Sequence, residues 1–376
     1  MTLLSAPNIT GNEWLYIKDC LDTAWVSSVG SYVDRMEKMC AEFCGTKYAV
    51  ATSCGTTALH ISLLLAGVKR RDYVIVPNIT FIASCNAIKY TGADPILIDV
   101  DPETWQMDLD VLENFLVTQT ELVGNTLQLK KNKRKIRVLM PVHVLGNMCN
   151  MERLTAICEK YKLAMVEDST EALGSYYNGK HAGSFGLFGT LSFNGNKIIT
   201  TGGGGMILTD DEKLAKKAKH LTTQAKSDSF EYVHDEIGYN YRLTNLAAAM
   251  GVAQMELLPA FIKRKHEIDA FYKQALTGIG DISFQKVVPE VNANLWLFTF
   301  KTKKQKQVLQ ILNDNKLQSR PFWVPMNQLQ MFKNDLYISN NDQSNLTYNL
   351  CLSIPCSTYI TEQELNEVVK VIRSCY

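Results

Sequence analysis

Between residues 48 and 209 the chain alternates short runs rich in Val, Ile and Leu with stretches of helical periodicity. The apolar runs are Tyr48–Thr52, Tyr73–Val76, Pro95–Asp99, Val138–Val144, Leu163–Glu167, Thr190–Phe193 and Met206–Thr209. Helical patterns fall between them at 56–65, 82–90, 109–116 and 151–161, and a further one follows at 212–220. Strands that are apolar from end to end are buried on both faces, so helices must cover the sheet above and below. The spacing predicts an α/β domain with a mostly parallel sheet. After residue 244 the pattern changes. Leu246–Ala275 reads as one long helix with a break near Pro259. Strands at 295–300 and 352–354 and helices at 304–313 and 362–374 follow. The expected division is a large domain over 1–254 and a smaller C-terminal α+β domain over 255–376.

Charge narrows the function. Thirty-nine Lys and Arg stand against 38 Asp and Glu, a net +1, which argues against a dedicated nucleic-acid binder. The basic run Lys130–Lys135 reads as a solvated loop before the Val138 strand. No apolar run approaches the roughly 18 residues of a membrane span, and MTLLSAPNITGNE lacks a signal pattern, so a cytoplasmic protein is expected. The ten cysteines are scattered, and Cys85 and Cys158 sit in apolar segments as small core residues. Cys40 and Cys44 have zinc-like spacing but no second pair or nearby histidine, so no metal is expected.

Ligands of parallel sheets sit at the carboxyl ends of the strands. No G-x-G-x-x-G and no P-loop pattern lies there. After the first strand comes Ser53-Cys54-Gly55-Thr56-Thr57-Ala58-Leu59, small, polar and opening a helix. Such a helix start suits a phosphate, or is a plain cap. After the Leu163 strand comes Glu167-Asp168-Ser169-Thr170-Glu171, whose acid can neutralise a protonated ring nitrogen or cap the next helix. After Leu191-Ser192-Phe193 come Lys197, the pair Thr200-Thr201 and Gly202–Gly205. A lysine desolvated among small residues is the type that forms Schiff bases, although alone it reads equally as a surface lysine on a turn. A phosphate cradle, an acid and a desolvated lysine in that order are the parts of a pyridoxal-phosphate site.

Seven motifs then carry a resemblance over nearly the whole chain: Asp22–Ser28, Ser53–Leu59, Pro77–Phe81, Pro141–His143, Glu167–Glu171, Ser192–Gly202 and Gly238–Asn245. The chain resembles the DegT/DnrJ/EryC1/StrS family of sugar-nucleotide aminotransferases, which has the aspartate-aminotransferase-like fold type I. The resemblance implies pyridoxal 5'-phosphate, carried on Lys197, with Asp168 paired to the pyridine nitrogen and Phe81 stacked on the ring. It implies phosphate contacts from Gly55, Thr56 and Ser192, and from Asn240 of a neighbouring subunit, hence a homodimer with shared active sites. Trp25, His143 and Arg320 are candidates for the sugar-nucleotide pocket.

The same resemblance implies glutamate as amino donor and a 4-keto-6-deoxy nucleotide sugar as acceptor, on a route to surface glycans or nonulosonic acids. The stretches Leu221–Lys226 and Ser319–Trp323 suggest UDP-4-keto-6-deoxy-N-acetylglucosamine. A GDP-perosamine-synthase type, a 3-keto branch and a non-catalytic regulator of the same fold are the alternatives. A nucleotide-sugar dehydrogenase or epimerase would need the missing glycine fingerprint, and dehydratase relatives lack the lysine. Two positions depart from the family: Gly203 replaces a frequent acid, and Glu171 stands where most relatives carry Gln or His, beside the cofactor's 3-oxygen. A carboxylate about 4 Å from that anion costs on the order of 4 kcal/mol at an effective dielectric of 20. Glu171 avoids that cost either by holding a proton and donating it or by turning toward a cation. No lysine or arginine lies nearby in the motif, so the protonated form is expected.

Overall fold

In the computed structural model, which describes all 376 residues except Ser229, the large sheet has ten strands. Its main order is Tyr48–Thr52, Gly205–Thr209, Phe188–Ser192, Ala164–Asp168, Lys135–Leu139, Tyr73–Pro77, Asp94–Ile98 and Leu336–Ile338. Gly205–Thr209 is antiparallel to both neighbours and the other strands of this order run in one direction. Tyr73–Pro77 and Gly205–Thr209 are buried at every position, as continuous apolar runs require. The shared direction places the ends of Tyr48–Thr52, Ala164–Asp168 and Phe188–Ser192 on one edge, where three of the chemistry-bearing segments begin.

Four features differ from the sequence expectations. First, a hairpin, Thr120–Val123 with Thr126–Leu129, extends the sheet beside Lys135–Leu139. Its Gly124-Asn125 turn and inward Leu127 and Leu129 are a hairpin signal that the basic run next to it obscured. Second, the Val138 strand ends at Leu139, because after Pro141 the chain enters a tight turn at Val144–Gly146 with positive φ at Leu145 (62°) and Gly146 (83°). Third, Asn245–Leu276 is one helix of 32 residues that passes through Pro259 without ending. Leu258 and Phe261 are buried on either side of the proline, so packing holds the rod together where one backbone bond is lost. By length and composition this helix could cross a membrane, contrary to the reading of no such apolar run, but 56% of its apolar window is buried inside the protein.

Fourth, the C-terminal part is not wholly separate. The long helix packs its Met255–Ile262 portion with Met36 and Phe193, and its Ile268–Leu276 portion with Phe298, Leu352 and Val368. A four-stranded antiparallel sheet, Ser283–Phe284, Thr299–Lys301, Cys351–Ser353 and Arg320–Pro321, forms the core of this second unit. Leu336–Ile338, however, leaves it to pair in parallel with Asp94–Ile98 at the edge of the large sheet.

Candidate active site

The helix Gly55–Leu65 follows Tyr48–Thr52 directly, so its first N–H groups have no intrahelical acceptor and its positive dipole end faces the strand edge. Glycine fits the close approach there: a Cβ on Gly55 would meet Ser192 Cβ and Thr170 Cγ2 at 3.0 Å, so those side chains would have to give way. A Cβ on Gly205 would reach 2.4 Å from the Cys54 carbonyl, so the glycine run lets its strand approach the helix start. Above this cradle opens a cavity of about 360 Å3. Gly55, Thr56, Phe81, Glu171, Ser192 and Lys197 line it from the large unit. Trp296, Arg320, Phe322 and Trp323 line it from the C-terminal part.

Asp168 ends its strand and is buried behind the cavity wall formed by Ala83 and Thr170. Its Oδ2 accepts from Ser84 Oγ at 2.6 Å, and its Oδ1 from the Thr170 N–H at 3.2 Å and Thr170 Oγ1 at 2.7 Å. Ser84 comes from the first turn of Ala83–Tyr90, just after Phe81, which stays 54% exposed at the cavity mouth. Both carboxylate oxygens are thereby oriented by groups on two different elements.

Lys197 has a side chain only 12% exposed. Its Nζ lies 3.9 Å from the centre of the Trp296 ring and 3.6 Å from Glu171 Oε1, an ion-pair contact longer than a hydrogen bond. Burial pulls the Lys197 ammonium below its ordinary pKa, against the opposing pull of the Glu171 and Asp168 charges. Burial likewise pushes the Glu171 carboxyl up to about 7, although Lys197 and the Leu145 N–H favour its charged form. That N–H donates to Glu171 Oε2 at 2.8 Å. The motif itself offers no cation, hence the expectation of a protonated form, but the fold brings Lys197 to Glu171 from another segment. The alternative of a carboxyl turned toward a cation is therefore the one the structure shows.

Besides Asp168, three further sequence candidates stand outside the cavity. His143 is fully buried and its Nε2 meets Glu167 Oε2 at 3.0 Å, so it is not a pocket residue. Glu167 also accepts the N–H groups of Gly183, Phe185 and Gly186 at 2.7–2.9 Å. Burial would raise the Glu167 carboxyl, but His143 and these donors outweigh it and hold the group below its ordinary range. Trp25 is 57% exposed, and its carbonyl accepts from Asn245 Nδ2. Asn240 is exposed too, bridged to Thr223, and neither it nor Trp25 reaches the cavity of its own chain.

Sequence reasoning missed Trp296. The run 295–300 read as strand, yet pairing starts only at Thr299 and Leu295 takes a positive φ of 54°. Trp296 is fixed at three points. Its N–H donates to Asn294 Oδ1 (3.0 Å), its Nε1 to the Asn196 carbonyl (2.6 Å), and its carbonyl accepts from Lys265 (2.7 Å). Its ring is stacked near Trp323, which stacks on Phe322 with centroids 5.0 Å apart. No local pattern announces this aromatic wall. The ten cysteines are free thiols. Among the described residues one trio, His220, Asp235 and Glu236, has metal-like spacing, but it lies outside the cavity and its members pair with one another and with Lys217.

The donor set fits pyridoxal phosphate: an anion cradle closed tightly around glycine, an oriented acid behind the wall, and a lysine kept from water. A model of the DegT/DnrJ/EryC1/StrS aminotransferase family matches residues 7–373. A GDP-perosamine synthase of Escherichia coli O157:H7 is 39% identical over 329 residues, covering 87% of this chain and 85% of that protein. A GDP-perosamine synthase of Caulobacter vibrioides is 34% identical over 379 residues, covering 98% and 96%. The crystal structure of a DegT DnrJ EryC1 StrS aminotransferase from Brucella abortus matches the fold with a TM-score of 0.89 at 23% identity, covering 97% and 95%. The chain belongs to the DegT/DnrJ/EryC1/StrS aminotransferase family and is a fold-type I, pyridoxal-phosphate-dependent aminotransferase.

Proposed function

We propose that the protein transfers an amino group from glutamate to the keto carbon of a GDP-linked 4-keto-6-deoxy sugar. The observation that carries the reading is Lys197, desolvated over the cavity between Trp296 and Glu171. Pyridoxal phosphate, when bound, supplies the carbonyl that exchanges the amine and a ring that takes up electrons. The rest belongs to this chain. The Gly55 and Thr56 N–H groups and Ser192 hold a phosphate, and Phe81 packs against a ring. Asp168, oriented by Ser84 and Thr170, holds a proton on a ring nitrogen. Lys197, favoured in its neutral form by burial, attaches the cofactor and moves protons as general base and acid. Trp296, Phe322 and Trp323 keep water from that amine, and Arg320 is a donor for the nucleotide diphosphate. On this reading residues 1–254 carry the cofactor, and 255–376 contribute the facing wall.

The names of the relatives favour the GDP-linked acceptor over the UDP-4-keto-6-deoxy-N-acetylglucosamine expected from Leu221–Lys226 and Ser319–Trp323. The test is release of 2-oxoglutarate from glutamate with each nucleotide sugar in turn. Preferred turnover of GDP-4-keto-6-deoxymannose supports the proposal, preferred turnover of the UDP sugar restores the earlier expectation, and turnover of a 3-keto sugar alone moves the protein to another branch.

The protein acts, we further propose, as a homodimer in which Asn240 completes the partner's phosphate site. Asn240 lies outside its own cavity, and Trp14, Leu15, Leu21, Trp25 and Val29 expose an apolar surface that a second copy would cover. Mixing Lys197→Ala with Asn240→Ala protomers should restore activity. No recovery despite subunit exchange would contradict the shared site.

A further inference from the structure

Glu171 is built into the fold with unusual care. Leu145 adopts a left-handed φ of 62°, uncommon for a residue with a side chain, and this turn aims its N–H at Glu171 Oε2. The next residue, Gly146, has φ 83°, and a Cβ there would lie 1.8 Å from Asn294 Oδ1. Asn294 Nδ2 donates to the Glu171 carbonyl at 2.9 Å, so the backbone of Glu171 is pinned as well. One carboxylate oxygen is thus anchored, while the other, Oε1, stands 3.6 Å from Lys197 Nζ. The charged group acting on this pair is Asp168, from the end of its strand, and Arg320 lines the same cavity from the C-terminal part.

We propose that Glu171 is the acid–base partner of Lys197, accepting the proton that the lysine must lose before its amine can attack. The step rests on the reading of Lys197 as the cofactor-bearing lysine. An Nζ–H bond of the Lys197 ammonium breaks and an Oε1–H bond forms on Glu171, converting ammonium and carboxylate to amine and carboxylic acid. One proton stays within the pair, no co-reactant is needed, and the reverse step returns it when the lysine leaves. Contact requires closing 3.6 Å to about 3 Å, within the rotamer freedom of a lysine stem. Burial of both groups favours the neutral pair, in keeping with this exchange. The role differs from a hydrogen bond to the cofactor's 3-oxygen, because it operates on Lys197 itself.

The test uses the full-length protein freed of cofactor. The pH dependence of Lys197 acylation by limiting acetic anhydride is followed by peptide mass spectrometry, with exposed Lys216 as internal reference. Glu171→Gln removes the anion, so the Lys197 midpoint should fall by at least one pH unit, a tenfold change in its protonation constant, while Lys216 stays put. An unmoved or raised Lys197 midpoint in the folded variant overturns the proposal. Should Glu171→Gln not fold, infrared titration of the carboxylic-acid band of the Glu171 side chain in wild type and Lys197→Met decides the same point. The midpoint should rise when the lysine is removed, and an identical midpoint overturns the pairing. Neither readout involves a sugar, so a wrong acceptor leaves them intact. A wrong choice of cofactor lysine would instead appear as borohydride-fixed label elsewhere.

Discussion

Two buried lysines touch the same tryptophan, one at its ring and one at its carbonyl. Lys265, inside the long helix, donates to the carbonyls of Trp296 at 2.7 Å and Cys356 at 2.6 Å. Lys197 faces the ring of Trp296 and a carboxylate just beyond bonding distance. Burial lowers the pKa of both. The difference is what their protons meet: at Lys265 two fixed carbonyls and the buried Cys356 thiol, with no cavity, and at Lys197 an open cavity and a carboxylate. Burial alone does not make a lysine reactive. A desolvated amine that opens on a cavity beside a carboxylate does.

Substitutions separate the two sites, and the largest effect falls on turnover. Lys197→Ala should lower kcat by at least about 10³-fold, within the range of an acid–base group before its covalent role is added, with Tm nearly unchanged. An equal loss from Lys265→Met at constant Tm would erase the contrast. Lys265→Met removes the ammonium donor from two buried carbonyls, leaving Trp296 only the weak Cys356 thiol, and should cost about 2–5 kcal/mol of stability, read as a lower urea midpoint. Activity of the folded fraction should survive.

A pH-resolved effect comes next. The folded-state pKa of Glu171, about 7, lies above its unfolded value of 4.5, so the folded cofactor-free protein binds the extra proton between these limits. The stability this contributes is complete below 4.5 and is lost as pH rises through about 7. Glu171→Gln lacks that loss, so its Tm relative to wild type should climb across this window and then level off, by the equivalent of roughly 1–3 kcal/mol. A flat difference would mean that Glu171 titrates normally. The smallest effect belongs to Trp296→Phe, which keeps a ring over Lys197 but removes the Nε1 bond to Asn196. It should cost about 1 kcal/mol in stability and little in turnover.

The part of the site legible in the sequence is the part made by local segments at strand ends. Asp168 and Ser192 end strands, and Gly55 and Lys197 lie a few residues beyond strand ends, so the sheet direction alone brings them to one edge. Contacts between distant segments were not legible. Trp296 over Lys197, Lys265 under Trp296 and Leu145 on Glu171 depend on how the C-terminal part and a strained turn pack, and no spacing encodes them. His143 misled because a histidine after a strand reads the same whether it faces a cavity or a buried carboxylate on the next strand. In the fold, Leu336–Ile338 escaped notice because a three-residue edge strand has no periodicity of its own. Pro259 misled because buried neighbours outweighed its local penalty.

Borohydride reduction of the holoenzyme followed by peptide mapping tests the contrast between the two lysines most directly. The cofactor should be fixed to the peptide carrying Lys197 and to no other, with the label lost in Lys197→Ala and retained in Lys265→Met. Label on Lys265, or on any lysine away from the cavity, would contradict the account.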